Sequence, residues 1–314
     1  MQTYHLAPAV PVRVIRLAAA CLLMCFAAPS PAQPQVAQIP GGPIPDRGRP
    51  AVLPGAVQYD FTSRITGRPY RLTITSPARG DPARPDSARL YPALYVLDGN
   101  AWRATASEVA TVFGAAGQTA AGYVVALGYQ TDDVMAASEL RSLDLTPFRS
   151  PNPAYAAVTG GGDAFLRAVY EEVQPFVLSH FRVDPARQAI WGHSLGGLLV
   201  LRSMYRDPGR FSTYLIASPT INPAVLADES GFLARVARAG TGPRVLITAG
   251  GDEQPAGRPL AYKVIDDAAA LAERLRAGAP RLDVERVVFP GEGHLSAAVL
   301  SLVRGIQFAW RKAP

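Results

Sequence analysis

Cysteine is almost absent. The 314 residues contain two, Cys21 and Cys25, both inside the apolar run Leu17 to Ala28. A chain cut after Ala32 has none, which excludes a structural disulfide, a cysteine nucleophile and a thiolate metal site. Long apolar runs are scarce too: this one falls short of the roughly 20 residues that cross a bilayer. Arg13 and Arg16 precede it and Ser30-Pro31-Ala32 follows, so residues 1–32 read as a secretory signal that delivers the mature protein to the periplasm or beyond, with no integral span left after processing. A retained anchor, or a lipoprotein built on Cys21 with Ala18 as a poor start to its site, are the alternatives. Basic clusters are missing as well. The formal charge of +6 falls to +4 once Arg13 and Arg16 leave, and the other arginines lie scattered among acids, which argues against nucleic acid as a partner. No repeat or charge-rich tract interrupts the chain, so one domain is expected.

What is present is an alternation of apolar runs and amphipathic stretches. Residues 33–55, rich in Pro, Gly and Gln, form a lead-in, and the single domain spans 56–314. "VQYDFTSRI" and "YRLTITSP" read as strands joined through Thr66-Gly67-Arg68-Pro69, an antiparallel hairpin. Thereafter "ALYVLDGN", "GYVVALGY", Ala189 to Gly192, Tyr214 to Ala217, Arg244 to Thr248 and Leu282 to Phe289 read as buried strands. Helical stretches lie between them and one closes the chain, from Ser296 to Trp310. Continuous apolar strands alternating with helices predict an α/β fold: a mostly parallel sheet of about eight strands with helices on both faces.

One strand-to-helix junction carries chemistry. "GHSLG", Gly192 to Gly196, has the G-x-S-x-G spacing of a nucleophile elbow, in which a sharp turn lifts the hydroxyl of Ser194 above the sheet. Glycines two residues to either side are expected to avoid clashes where strand and helix approach. A serine hydroxyl needs a base, usually histidine, and there are four histidines. His5 leaves with the signal, His193 is adjacent to the serine and is expected to point elsewhere, and His180 ends a helix before the elbow. His294 remains, beyond the last strand across Pro290-Gly291-Glu292-Gly293, where a catalytic base belongs in this chain order. An orienting carboxylate belongs between serine and histidine, and "GGDEQ" offers Asp252 and Glu253. For the oxyanion, the N–H of Leu195 is expected as one donor. The N–H of Asn100 is the candidate for the other, with Gly99 letting the backbone turn toward the site.

With these pieces placed, the chain from about Val57 onward resembles the α/β-hydrolase esterases that include the trilactone siderophore esterases acting on enterobactin, salmochelin and bacillibactin. The likeness rests on "YVLDGN", "RSLDLTP", "GGGDAFLRAVYEEVQPFV", "FRVDPARQAIWGHSLGGLL", "ASPTI", "GGDEQ" and "FPGEGH". It implies the α/β-hydrolase fold, puts the family's serine and histidine on Ser194 and His294, and favours Glu253 over Asp252 through a G-x-x-E segment. Some members rely mainly on a Ser-His pair. Arg141 and Asp144 match a segment R-x-x-D-[YF]-T-P, with Leu145 in place of the aromatic. Arg141 is thereby expected either to grip an anionic catecholate or carboxylate or to pair with Asp144 and fix a loop. Where members often carry a tryptophan after "ASP", this chain reads Thr220-Ile221-Asn222-Pro223.

The expectation is an exported serine carboxylic-ester hydrolase, acting through an acyl-enzyme on a small-molecule ester, a siderophore trilactone among the candidates, with no metal or organic cofactor. A feruloyl-type carboxylesterase or acyltransferase on the same fold is the alternative. A non-catalytic binding protein on a hydrolase scaffold is the alternative of another class.

Overall fold

Strands buried on both faces must be covered from both sides, and the arrangement of elements follows from that requirement. The computed structural model describes residues 52–77, 89–254 and 263–311. Residues 1–51, with the expected signal, both cysteines and most of the expected lead-in, lie outside the described residues. Eight strands form one sheet in the order β1-β2-β4-β3-β5-β6-β7-β8. β1 (Ala56–Thr62) and β2 (Pro69–Thr75) are the expected hairpin, antiparallel with Asp60 opposite Arg71. Gly67 supplies the positive φ of 68° that its turn requires.

β2 runs antiparallel to β4 (Tyr123–Gly128), and every remaining pairing is parallel. The other strands are β3 (Tyr91–Val96), β5 (Val183–His193), β6 (Thr213–Ala217), β7 (Arg244–Gly250) and β8 (Val284–Phe289). β3, β4 and β6 are buried at every residue, as central parallel strands should be. The chain therefore has the α/β-hydrolase fold, with its mostly parallel sheet and N-terminal antiparallel pair.

The helices are α1 (Gly99–Ala115), α2 (Val134–Asp144), the single turn α3 (Pro153–Ala156), α4 (Gly162–Ala168), α5 (Gln174–His180), α6 (Leu195–Arg206), the single turn α7 (Pro223–Leu226), α8 (Glu229–Ala239), α9 (Val264–Gly278) and α10 (His294–Ala309). A π-helical turn, Val169–Val173, joins α4 to α5. Strand alternation divides the core in two. Leu94, Val96, Ala189, Trp191 and Leu215 face α1 and α10, packing with Ala106, Leu302, Ile306 and Trp310. Tyr95, Ile190, Tyr214, Ile216 and Ile247 face the other way, onto Val169, Leu199, Phe232 and Leu271. Among the described residues, no helix is long and apolar enough to cross a membrane.

Two features differ from the sequence reading. β5 starts at Val183, several residues ahead of the apolar run, its register to β3 shifting between Tyr91 and Ala93. The stretch before Pro147 holds a helix that apolar periodicity does not announce. α2 is capped by Asp133, whose carboxylate accepts from Met135 N at 2.8 Å and Ala136 N at 3.4 Å.

Candidate active site

The parallel strands deliver their carboxyl ends to one edge of the sheet, the address of ligand sites in open α/β folds. β5 hands over to α6 at Ser194, whose φ of 60° and ψ of −114° lie where non-glycine residues rarely sit. That conformation costs on the order of 1–3 kcal/mol and persists only where surroundings enforce it. Here Ser194 N donates to Ala217 O at 3.0 Å, while the Ser194 carbonyl accepts from Leu198 N at 3.0 Å and Thr220 N at 3.3 Å. The reason for Gly192 holds: a Cβ there would collide with the Gly196 carbonyl. For Gly196 it does not, since a Cβ would meet nothing closer than Asp98 Oδ2 at 3.4 Å, an ordinary contact. The second tight position is Gly197, where a Cβ would stand 2.8 Å from Ala217 O.

His294 opens α10, just past the Pro290–Gly293 turn. Its Nδ1 lies 2.7 Å from Glu253 Oε2. The carboxylate that reaches it is that of Glu253, whose side chain is 1% exposed; Asp252 is exposed at the surface. Gly250 N at 2.6 Å and Ser218 Oγ at 2.5 Å both donate to Glu253 Oε1. Burial pushes the carboxyl up, but the bonds from His294, Ser218 and Gly250 outweigh it and hold the group below the ordinary glutamate range. Ser218, on a positive φ of 40° after β6, has no part in the sequence reading; the sole signal was its place in "ASPTI".

The expected oxyanion donors are the first residue of α6 and the second of α1. Their positions in first helical turns leave the N–H groups of Leu195 and Asn100 without intrahelical acceptors. The positive φ that turns the chain belongs to Asp98, at 55°, rather than to Gly99. Gly99 is glycine because a Cβ would stand 2.8 Å from the Leu127 carbonyl. The Asn100 side chain fixes this corner: Oδ1 accepts from Tyr129 N at 2.7 Å, and Nδ2 donates to Thr131 O at 2.7 Å and Tyr129 O at 3.1 Å.

Arg141 does not pair with Asp144. Its Nε and Nη2 fork onto Asp98 at 2.6 and 2.8 Å, and the cleft wall includes both residues. Asp144 is wholly buried and takes Arg68 and the Tyr70 hydroxyl, tying α2 to β2.

His193 requires a correction. Far from pointing elsewhere, its ring lies 4.3 Å, centroid to centroid, from that of His294. It is 4% exposed, and burial, reinforced by repulsion from His294, pushes its imidazole down to about 4. Ser194, His294, His193, Asp98, Asn100 and Arg141 all line one cleft of about 350 Å³, walled further by Trp102 and Tyr129. Such a cleft can place a nucleophile, a base with its carboxylate, and two N–H donors around one carbonyl. Among the described residues, no group of three His, Cys, Asp or Glu is arranged to hold a metal ion.

The family model described as "Putative esterase" matches residues 63–287. The chain belongs to this esterase family. Among this esterase's relatives is the ferri-bacillibactin esterase of Bacillus subtilis, 28% identical over 269 residues that cover 82% of this chain and 90% of the relative. A siderophore triacetylfusarinine C esterase of Aspergillus fumigatus is 29% identical over 291 residues, covering 86% of this chain and 98% of its own. Among solved structures, the BES protein of Bacillus cereus superposes with a TM-score of 0.74 at 27% identity, covering 86% of this chain and 100% of that one. The resemblance read from the sequence is thus borne out, and the esterase is a carboxylic-ester hydrolase.

Proposed function

We propose that the protein is an exported serine esterase that opens ester bonds of siderophores. One observation carries the mechanism: Ser194 on its enforced elbow borders the same cleft as His294, whose Nδ1 is held from behind by Glu253. In this reading Ser194 Oγ attacks the ester carbonyl carbon while His294 Nε2 takes the hydroxyl proton. Glu253, ionised and buried, holds Nδ1 and stabilises the imidazolium. The carbonyl oxygen, now negative, is received by the N–H groups of Leu195 and Asn100. Collapse expels the alcohol, which leaves with the proton from His294. Water then repeats the sequence on the acyl-enzyme, releasing the acid and regenerating Ser194. Arg141, with Nε and Nη2 taken by Asp98, keeps Nη1 for an anionic group of the substrate.

The siderophore assignment is supported by what the relatives of B. subtilis and A. fumigatus hydrolyse. Export is supported by the leader-like residues 1–32. The test is turnover of a cyclic catecholate trilactone, a hydroxamate ester and a simple aryl ester by parent protein and Ser194→Ala, alongside fluorophosphonate labelling with peptide mapping. The expected result is label on Ser194 and a loss of at least a few hundredfold in the variant. Label elsewhere, or undiminished turnover in the variant, removes the serine mechanism, and preference for the aryl ester over both siderophores removes the substrate assignment.

A further inference from the structure

The residue between the elbow's first glycine and its serine has an environment that packing alone does not require. His193 is buried at the end of β5, its ring near-parallel to Trp191 (13°, 6.4 Å between centroids) and edge-on to Trp102 (74°, 6.1 Å). The His294 ring lies against it as well, tilted by 45° at 4.3 Å. Among the described residues its Nε2 finds no hydrogen-bond partner although it is buried, while the imidazole also bonds to the His294 backbone, so the ring is held against the start of α10 by a polar contact as well as by packing. The backbone on either side is immobilised. The His193 carbonyl accepts from Arg141 Nη2 at 3.4 Å, and Ser194 is locked by the bonds already described.

His294, by contrast, is 43% exposed at the first position of a helix, and its single bond to Glu253 through Nδ1 fixes one atom of the ring but not its tilt. We propose that His193 is a positioning residue for His294: its wedged, buried ring fixes the plane of the base above Ser194 and covers the inner face of that imidazole. The inference rests on the reading of His294 as general base. A base held in one orientation converts more encounters into proton transfer. The charged or titratable groups that face His193 are His294 on α10, Glu253 after β7, and Arg141 on α2 with its partner Asp98 after β3.

The experiment compares kcat and KM of His193→Ala, His193→Phe and His294→Ala against the parent, with folding checked by circular dichroism. His193→Ala leaves a hole beside the base. Its kcat is expected to fall about tenfold or more with KM changed by less than about twofold. His193→Phe restores a ring of similar shape and is expected to recover most of kcat. A folded His193→Ala with parental kcat overturns the proposal, as does a folded His193→Phe as impaired as the alanine variant, since ring packing would then not be the cause. Should His193→Ala fail to fold, the phenylalanine variant decides alone by the same criteria. His294→Ala separates the two readings: activity retained there removes the base itself, whereas activity lost there but kept in His193→Ala removes only the positioning role.

Discussion

Glu253 shows how a buried carboxylate stays charged. Its two oxygens receive three donors, from His294, Ser218 and Gly250, and together these offset a desolvation that would otherwise neutralise the group. Glu253→Gln keeps the volume but removes the charge that stabilises the imidazolium, so kcat is expected to drop by about a hundredfold or more while KM changes little. Asp252→Asn, at an exposed position, is expected to leave both constants within about twofold. Steady-state kinetics on the purified pair checks both, and equal losses in the two would mean that the turn rearranges in solution. The sequence left these adjacent acids open because one residue of backbone rotation exchanges their directions. What fixes the rotation is non-local: Gly251 N bonds to Phe289 O and Asp252 N to Glu292 O, both from the segment that follows β7 by some forty positions.

At the scale of the element, the elbow separates glycines required by space from one that is not. Gly192→Ala and Gly197→Ala thrust a methyl into backbone and are expected to cost several kcal/mol each or to abolish folding. Gly196→Ala, near the start of α6, should be neutral or stabilising by up to about 1 kcal/mol, because alanine loses less entropy in a helix. Urea denaturation of the three variants tests this ranking, and a Gly196→Ala loss as large as that of Gly192→Ala would contradict it. The strands were legible because burial on two faces leaves unbroken apolar runs. α2 was not, since Met135 and Leu140 lie exposed on it and blur the periodicity; its mark in the sequence was the cap, Asp133. The contact between His193 and His294 was equally invisible, for it depends on where α10 begins relative to β5.

For the whole molecule, two groups of the site lower stability in acid, whereas Asp144, whose carboxyl burial pushes up, acts in the opposite direction. His193 is held neutral, protonating near pH 4 when folded against about 6.5 for an unfolded histidine. Between those values the unfolded chain binds more protons, so stability falls as pH is lowered from about 6.5 toward 4, by on the order of 3 kcal/mol if this site acts alone. Glu253 adds a second decline at lower pH: its contribution is complete above the unfolded carboxylate range and is lost as the pH drops through its depressed folded value. Unfolding midpoints measured from pH 7 to pH 4 should therefore fall, and His193→Phe should flatten the part of that fall above pH 4. A parental slope retained in the variant would assign the loss to other groups.

The fork between Arg141 and Asp98 reaches further than the corner it braces. Because the guanidinium is cancelled by a carboxylate on the spot, the pair adds no surplus of one sign to the cleft wall, and a polyanionic molecule approaching from a distance feels only the diffuse pull of the chain's net positive charge. Capture should then be only weakly guided. The second-order rate constant for the substrate would decline gently between about 20 mM and about 500 mM sodium chloride, a range over which an encounter focused by a charged cleft slows steeply.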